Sequence, residues 1–170
     1  TRILPLLESE CLDANVNEWY LWHGGSSKGI RSIAEQEFKQ LYAGTNTGAL
    51  YGAGTYLSDS CTKADEYARE ATEGEDAGLL CLLLCRVMGG RVQYTDEVAP
   101  DAQALVRRVL EGPYDCVLGD REKCRGTFKE VVLYESSQAY PEYLVYYRRR
   151  FEEKVTGTGP DGGSVGSVAG

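Results

Sequence analysis

The feature that most constrains the fold is a nearly continuous apolar run at residues 78–88, Gly-Leu-Leu-Cys-Leu-Leu-Leu-Cys-Arg-Val-Met. A strand with one solvated face would carry a polar residue at every second position, and this run does not. The run therefore predicts a strand that is buried on both faces. Gly89 and Gly90 follow it and allow a bend or bulge before the next strand.

Shorter elements surround this strand. The sequence predicts further strands at residues 18–23, 54–58, 91–95, 115–118, 128–135 and 142–148. It predicts helices at residues 29–41, 62–72 and 100–110, the second with Ser60 as a cap, and a Gly/Thr/Asn-rich loop at residues 42–53. Strands dominate, helices are few, and no regular βαβ alternation is present. The pattern therefore favours an α+β fold with antiparallel pairing over a Rossmann sheet.

Length and composition bound the class of protein. The 170 residues suit one domain, which we place at residues 1–155, and a hydrophobic fraction of 42% can supply its core. Residues 156–170 carry too few large apolar groups to offset the entropy of ordering, so we expect a Gly/Ser-rich disordered tail. No stretch of about 18 apolar residues is present, so we expect no membrane span.

Charge and cysteine spacing exclude some functions. A net charge of −8 argues against a duplex-DNA binder that neutralises many phosphates, although an enzyme that modifies a nucleic-acid end remains possible. The six cysteines form no C-x-x-C pair, and one histidine cannot complete the usual zinc sites. We expect free thiols, no structural metal, and an intracellular, nuclear or cytoplasmic location; a disulfide is the alternative.

The lone histidine, His23, stands in Leu21-Trp22-His23-Gly24-Gly25, where an apolar run stops at two glycines. An imidazole at a strand end, followed by bare backbone, lets a planar polar ligand approach main-chain N–H and C=O groups. The alternative is a half-buried histidine bonded to a neighbour. A second glycine pair, Gly52-Ala53-Gly54, is followed by Thr55-Tyr56-Leu57 rather than by a helix, so it does not indicate Rossmann-type dinucleotide binding.

Three motifs follow one another along the chain. They are Leu21-Trp22-His23-Gly24-Gly25, then Tyr51-Gly52-Ala53-Gly54-Thr55-Tyr56-Leu57 with Tyr67 after it, and then Tyr140-Pro141-Glu142-Tyr143-Leu144-Val145-Tyr146. Together they resemble the catalytic domain of the poly(ADP-ribose) polymerase family, the ADP-ribosyltransferases of the diphtheria-toxin type. The second and third motifs are most similar to tankyrase-like members. The resemblance spans roughly residues 19–148. It implies an ADP-ribosyltransferase fold of two packed, mostly antiparallel sheets with a few flanking helices.

The resemblance implies transfer of ADP-ribose from NAD⁺ to a protein acceptor, with nicotinamide leaving and no metal required. His23, Tyr56 and Glu142 would form a His-Tyr-Glu triad. Breaking the nicotinamide–ribose bond passes through an oxocarbenium-like state, which the carboxylate of Glu142 would stabilise. Strand alternation, if it holds, would put Glu142, Leu144 and Tyr146 on one face. The alternative for Glu142 is an edge-strand charge that keeps the sheet soluble.

By the same resemblance, His23 would hydrogen-bond the ribose next to adenine, and Gly24 would offer backbone groups to the nicotinamide carboxamide. Tyr56 would form one wall of the nicotinamide slot and Tyr67 would stack on the ring. The loop at residues 38–50 would cover the donor pocket. The chain departs from the family's common residues at several positions. Ala53 replaces a lysine, as in tankyrase-like members, and Leu57 replaces a Phe. Gly25 replaces a Ser or Thr, and Ala64 replaces a serine that contacts the nicotinamide amide. The loss of that serine removes one hydrogen bond, worth about 0.5–1.5 kcal/mol.

Three functions remain open. The first is an active protein ADP-ribosyltransferase, monomeric as an isolated domain; whether it would elongate poly(ADP-ribose) or add single units is undecided. The second is a catalytically weak module that binds NAD⁺ or ADP-ribose, which Gly25 and Ala64 favour. The third is an NAD⁺ hydrolase or a transferase that acts on nucleic-acid ends, without a basic surface to bind them. The charged cluster at residues 119–123 is either a solvated turn or an acceptor-side surface.

Overall fold

The apolar run forms the central strand of a three-stranded sheet. The computed structural model describes residues 12–38 and 49–150, and strand β3, Leu80–Met88, pairs antiparallel with one strand on each side. Residues 80–85 and Val87 are buried. The prediction of a strand buried on both faces is confirmed, because apolar clusters cover both faces of this sheet.

The remaining elements follow in chain order. A 3₁₀ turn at Ala14–Val16 precedes β1 (Glu18–Gly24), α1 (Ser27–Gln36), β2 (Thr55–Leu57), α2 (Cys61–Asp65) and β3. They are followed by β4 (Val92–Thr95), α3 (Ala102–Leu110), β5 (Cys116–Asp120), α4 (Arg121–Arg125), β6 (Lys129–Leu133), a 3₁₀ turn at Ser136–Gln138, and β7 (Ala139–Tyr147). The predicted tail at residues 156–170 lies outside the described residues. So do residues 39–48, which include most of the loop predicted at residues 42–53.

Two sheets pack against one another. The first has the order β1-β3-β7 and the second has the order β2-β6-β5-β4. Every strand pair is antiparallel except β4 with β5. The main core lies between the sheets and joins Leu21, Leu83 and Cys85 of the first to Leu57 and Val131 of the second. The predicted α+β architecture with mostly antiparallel sheets is confirmed.

The first sheet has two distinct faces, which matter for the site. Its core face carries Leu21, Leu83 and Cys85. Its opposite face, called the outer face below, carries Trp22 and Leu82, which pack against Ala64 of α2. Helix α2 therefore lies over the outer face, at the end of the sheet where β1 ends.

The predicted helix at residues 62–72 is wrong over its second half, since α2 ends at Asp65. Beyond that point the backbone bonds to distant segments instead: Arg69 N–H donates to Gly25 O and Ala71 N–H donates to Leu79 O. These tertiary hydrogen bonds replace the helical ones that the alanine-rich sequence favours. Ser60 occupies the N-cap position as predicted, but its side chain makes no capping hydrogen bond.

The two longer helices are confirmed, each with a side-chain cap. Ser26 accepts a hydrogen bond from Gly29 N–H at the start of α1, which ends at Gln36 rather than at the predicted residue 41. Asp101 accepts from Gln103 and Ala104 at the start of α3. Leu110, the last residue of α3, is 61% exposed although its side chain is apolar.

The charged cluster at residues 119–123 is not a simple turn. Gly119 and Asp120 end β5, and Arg121 begins the short helix α4, whose Lys123 N–H donates to the Asp120 side chain. Cys61, Cys81, Cys85, Cys116 and Cys124 are free thiols. In the parts of the chain that the structure describes, no helix is long and apolar enough to cross a membrane, and no group of three or more His, Cys, Asp or Glu side chains could hold a metal ion.

Candidate active site

His23 lies near the end of β1, and its imidazole bonds to the neighbouring sheet. Its Nδ1 is 2.8 Å from the backbone oxygen of Tyr56. A carbonyl can only accept, so Nδ1 carries the hydrogen. Burial lowers the pKa of His23 below its usual value, although this backbone hydrogen bond acts in the opposite direction. The ring is therefore neutral near pH 7, and its Nε2 is an acceptor suited to a ligand hydroxyl.

Phe38 packs edge-on against the imidazole, with ring centroids 5.1 Å apart and an interplanar angle of 81°. Phe38 is buried and belongs to the main core. It is the first residue of the segment predicted to cover the donor pocket, most of which lies outside the described residues. The contact fixes one side of the ring.

Gly24 ends β1 at the open edge of the first sheet. Two residues earlier, Trp22 N–H donates to Ser58 O at 2.7 Å and Trp22 O accepts from Ser58 N–H at 2.9 Å, so Trp22 directs both backbone groups away from β3. Backbone groups of an antiparallel strand alternate in direction with period two. The N–H and C=O groups of Gly24 therefore also point away from β3. They lie beyond Ser58 on the unpaired side of β1, where a ligand could form hydrogen bonds with them.

Gly24 also contacts α2 closely. A Cβ atom added to Gly24 would lie 1.8 Å from the carbonyl oxygen of Ala64 and 3.2 Å from its Cα. Ala64 is buried, and its methyl group packs in the cluster formed with Ala68, Leu80 and Leu82. The structure thus brings two of the predicted binding residues, Gly24 and Ala64, into direct contact.

Tyr56 has a hydroxyl that is fully engaged within the protein. It donates to Gly52 O at 2.8 Å and accepts from Tyr51 N–H at 3.0 Å. Burial raises the pKa of Tyr56 to about 12, with the backbone hydrogen bond from Tyr51 opposing the shift and the negative charge of Glu130 adding to it. The hydroxyl therefore stays protonated and holds the turn at Gly52, while the ring is half-buried and packs against Tyr51 in a second apolar cluster.

Tyr67 follows α2 and is 40% exposed. The ammonium group of Lys63 lies 5.2 Å from its ring centroid, within range of a cation–π contact. Lys63 is itself held by Glu66 Oε2 at 2.7 Å and by the buried Glu130 Oε1 at 3.6 Å. An exposed ring supported in this way offers a flat face on which a heteroaromatic ligand can stack.

Glu142 occupies a β-bulge in β7. Pro141 pairs with Cys85 and Tyr143 pairs with Leu84, so Glu142 is an extra residue with no partner on β3. A bulge of this kind turns a side chain away from the direction that strict alternation would give it. Bulges are over-represented next to active sites for this reason.

The bulge puts Glu142 on the outer face of the first sheet. Tyr20 Oη donates to Glu142 Oε1 at 2.9 Å, and the Tyr20 ring also lies 6.4 Å from that of Tyr143. Leu144, by contrast, packs against the main core on the other face. The expectation that Glu142 and Leu144 share a face is therefore wrong, because it assumed an unbroken strand.

The second carboxylate oxygen of Glu142, Oε2, is buried and has no hydrogen-bond partner among the described residues. A buried charged oxygen without a partner is costly unless something binds it. This favours a binding role for Glu142 over the alternative of a solvated edge charge. It also shows that Oε2, and not Oε1, is the oxygen available to a ligand.

The predicted site residues fall into three groups. His23 contacts Tyr56 through that residue's backbone, Gly24 and Tyr67 both contact the backbone of Ala64, and Glu142 contacts Tyr20. No described contact joins Glu142 to His23 or to Tyr56. The sequence prediction missed Tyr20 and Lys63. Tyr20 could have been found from period-two alternation, since it shares a face of β1 with Trp22.

Comparison with known proteins identifies the family of the chain. The family model described as the poly(ADP-ribose) polymerase catalytic domain matches residues 7–149. The chain is 29% identical over 101 residues to the poly [ADP-ribose] polymerase tankyrase of Caenorhabditis elegans, covering 57% of this chain and 4% of that protein. It is 25% identical over 144 residues to the human protein mono-ADP-ribosyltransferase PARP12, covering 83% and 18%.

A third relative has a different description. The chain is 40% identical over 81 residues to the probable inactive poly [ADP-ribose] polymerase SRO2 of Arabidopsis thaliana, covering 46% of this chain and 24% of that protein. The chain thus spans no more than about a quarter of the length of these relatives.

Proposed function

The chain belongs to the family of poly(ADP-ribose) polymerase catalytic domains, and we propose that it transfers ADP-ribose from NAD⁺ to a protein acceptor with release of nicotinamide. One observation carries the proposal. The unpartnered oxygen of Glu142 lies on the same face of the first sheet that α2 covers beside Gly24. In this arrangement Glu142 would act on the ribose while the backbone of Gly24 binds the carboxamide, as cleavage of the nicotinamide–ribose bond requires.

Nicotinamide would be held by three groups near α2. Gly24 N–H and C=O, both directed to the open edge, would bond to the carboxamide oxygen and nitrogen. Tyr67 would stack on the pyridinium ring, and the Tyr56 ring would form the opposite wall. Hydrogen bonds to main-chain groups orient the leaving group without adding a charge that would compete with Glu142.

Glu142 would act on the ribose. When the bond between C1′ and the pyridinium nitrogen breaks, its electron pair leaves with nicotinamide, and positive charge develops on the ribose ring. Glu142 Oε2 would stabilise this charge and bind a ribose hydroxyl, and it could accept the proton that the acceptor loses as it bonds to C1′. The neutral His23, through Nε2, would bind the ribose next to adenine.

The test is reaction with NAD⁺ followed by mass spectrometry of all products. We expect ADP-ribose on protein and one nicotinamide released per transfer. Glu142→Gln should remove most transfer while sparing NAD⁺ binding, because a neutral amide stabilises the transition state less than a carboxylate. Glu111→Gln, an exposed change at the end of α3, is the matched control. Equal turnover by the wild type and Glu142→Gln would refute this role.

A catalytically weak NAD⁺- or ADP-ribose-binding module is the second candidate, and Ala64 favours it. Ala64 borders Gly24 through its backbone, and its methyl group cannot supply the hydroxyl with which the family's serine would hold the carboxamide. The similarity to a probable inactive relative points the same way. In the same experiment, this candidate predicts bound NAD⁺ and unlabelled protein. Labelled nucleic-acid ends, or free ADP-ribose alone, would instead support the third function.

A further inference from the structure

We propose that Tyr20 is a positioning residue for Glu142 and selects which carboxylate oxygen meets the substrate. This inference rests on the proposed function. The Tyr20 hydroxyl occupies Glu142 Oε1 at 2.9 Å, while Oε2 remains buried and unpartnered among the described residues. The hydrogen bond thus fixes Oε1 to Tyr20 and leaves Oε2 as the oxygen that can interact with the substrate.

The bulge makes such a support necessary. Glu142 has no partner on β3, so the ladder does not hold its backbone as it holds Pro141 and Tyr143. Its side chain also has three rotatable bonds. A hydroxyl-to-carboxylate hydrogen bond is among the stronger kinds and has a strict geometry, so one such bond restricts the carboxylate to a small range of orientations. Preorganisation of this kind determines how much a charged group stabilises a transition state.

Tyr20 is itself held from neighbouring strands. The guanidinium carbon of Arg86 on β3 lies 5.9 Å from the Tyr20 ring, and Arg86 Nε pairs with Glu18 Oε1 of β1 at 2.7 Å. On β7, the ring of Tyr143 lies 6.4 Å away. The Tyr20 ring is thus flanked by the Arg86 cation and by a second aromatic ring. The position of its hydroxyl is therefore determined by the sheet and not by Glu142 alone.

The first test is steady-state kinetics of Tyr20→Phe with NAD⁺ as the varied substrate. Phenylalanine keeps the ring and its packing, so the thermal midpoint should stay close to that of the wild type. We expect kcat for transfer to fall about 10-fold with KM for NAD⁺ changed less than about 2-fold, because the lost bond orients a group that acts mainly in the transition state. Tyr140→Phe is the matched control, since Tyr140 lies on β7 with Glu142 but is 65% exposed, and it should leave both parameters unchanged.

Two further variants separate positioning from a structural effect. In the Glu142→Gln background, Tyr20→Phe should cause no additional loss of kcat, since a residue that works through Glu142 has nothing left to orient. Placing 4-aminophenylalanine at position 20 restores a donor at the same ring position and should recover most of the lost kcat.

The outcomes are distinct. If the wild type transfers no ADP-ribose, the proposed function fails and this inference fails with it. If the wild type is active but Tyr20→Phe matches it in kcat, only the inference fails. The same holds if Tyr20→Phe reduces kcat by an equal factor in both backgrounds, or if KM for NAD⁺ rises while kcat stays constant.

Discussion

The carbonyl oxygen of Ala64 occupies the position at which a side chain on Gly24 would begin, since the two atoms would be 1.8 Å apart. The fold itself thus requires a glycine at this position. The sequence indicated only that bare backbone here would let a planar ligand approach, which a side chain would prevent. The structure adds that it would first collide with the backbone of α2, which cannot move as a flexible side chain can.

We therefore predict that Gly24→Ala both destabilises the domain and abolishes nicotinamide binding. The backbone overlap should cost about 1–3 kcal/mol or more of the free energy of unfolding. Gly25→Ala is the adjacent control, because its Cβ would lie an ordinary 3.5 Å from Ile30. Chemical denaturation and calorimetric titration with nicotinamide measure the two effects. Wild-type stability in Gly24→Ala would contradict the close contact between β1 and α2.

Ala64→Ser should strengthen nicotinamide binding, because the family has a serine that contacts the nicotinamide amide at this position. One added hydrogen bond is worth about 0.5–1.5 kcal/mol, so we expect at most about a 10-fold gain in affinity. Ala68→Ser is the matched control, since Ala68 belongs to the same buried cluster but does not border Gly24. It should lower stability without improving binding. Equal effects of the two substitutions on nicotinamide affinity would refute the role assigned to position 64.

Tyr67→Ala should weaken nicotinamide binding strongly, whereas Tyr67→Phe should leave it nearly unchanged. Both substitutions remove the hydroxyl, but only alanine removes the stacking surface, which contributes about 0.5–1.5 kcal/mol beyond its buried area. Because Tyr67 is 40% exposed, neither change should unfold the domain. Calorimetric titration with nicotinamide checks the prediction, and a similar loss in both variants would show that the hydroxyl, and not the ring, binds the ligand.

His23 makes the pH dependence of this protein simple to interpret, because it is the only histidine in the chain. Burial lowers the pKa of His23 in the folded state. At a given pH near that value, the imidazole is therefore protonated less in the native protein than in the unfolded chain. As the pH falls below about 6.5, the unfolded state therefore binds more protons than the native state, and the free energy of unfolding decreases by up to about 1.4 kcal/mol per pH unit. Above that pH the effect vanishes.

Urea denaturation at several pH values between 5.5 and 7.5, compared for the wild type and His23→Gln, measures this slope. The wild type should lose stability below pH 6.5 and the variant should not. A proton NMR titration of the imidazole should give a midpoint below 6.5. A midpoint above that value would mean that the ring is charged near neutrality and donates, rather than accepts, at Nε2.

Much of the fold could be predicted because it depends on local pattern. The run at residues 78–88 predicts a strand buried on both faces, since its apolar residues can be satisfied in no other extended arrangement. Helices α1 and α3 follow from apolar spacing and nearby caps. Where local preference competes with long-range bonds, the prediction fails: the alanine-rich segment after Asp65 gives up helical bonds for contacts with Gly25 and Leu79.

Three motifs in a fixed order were enough to identify the family from the sequence, and they also supplied the residues of the candidate site. The tertiary structure decided how those residues are oriented. The bulge at Glu142 arises where the register between β7 and β3 shifts. Tyr20, which donates a hydrogen bond to Glu142, lies 122 residues away in the chain. Strand pairing between distant segments is not encoded by either strand alone, because register is set by the packing of both faces.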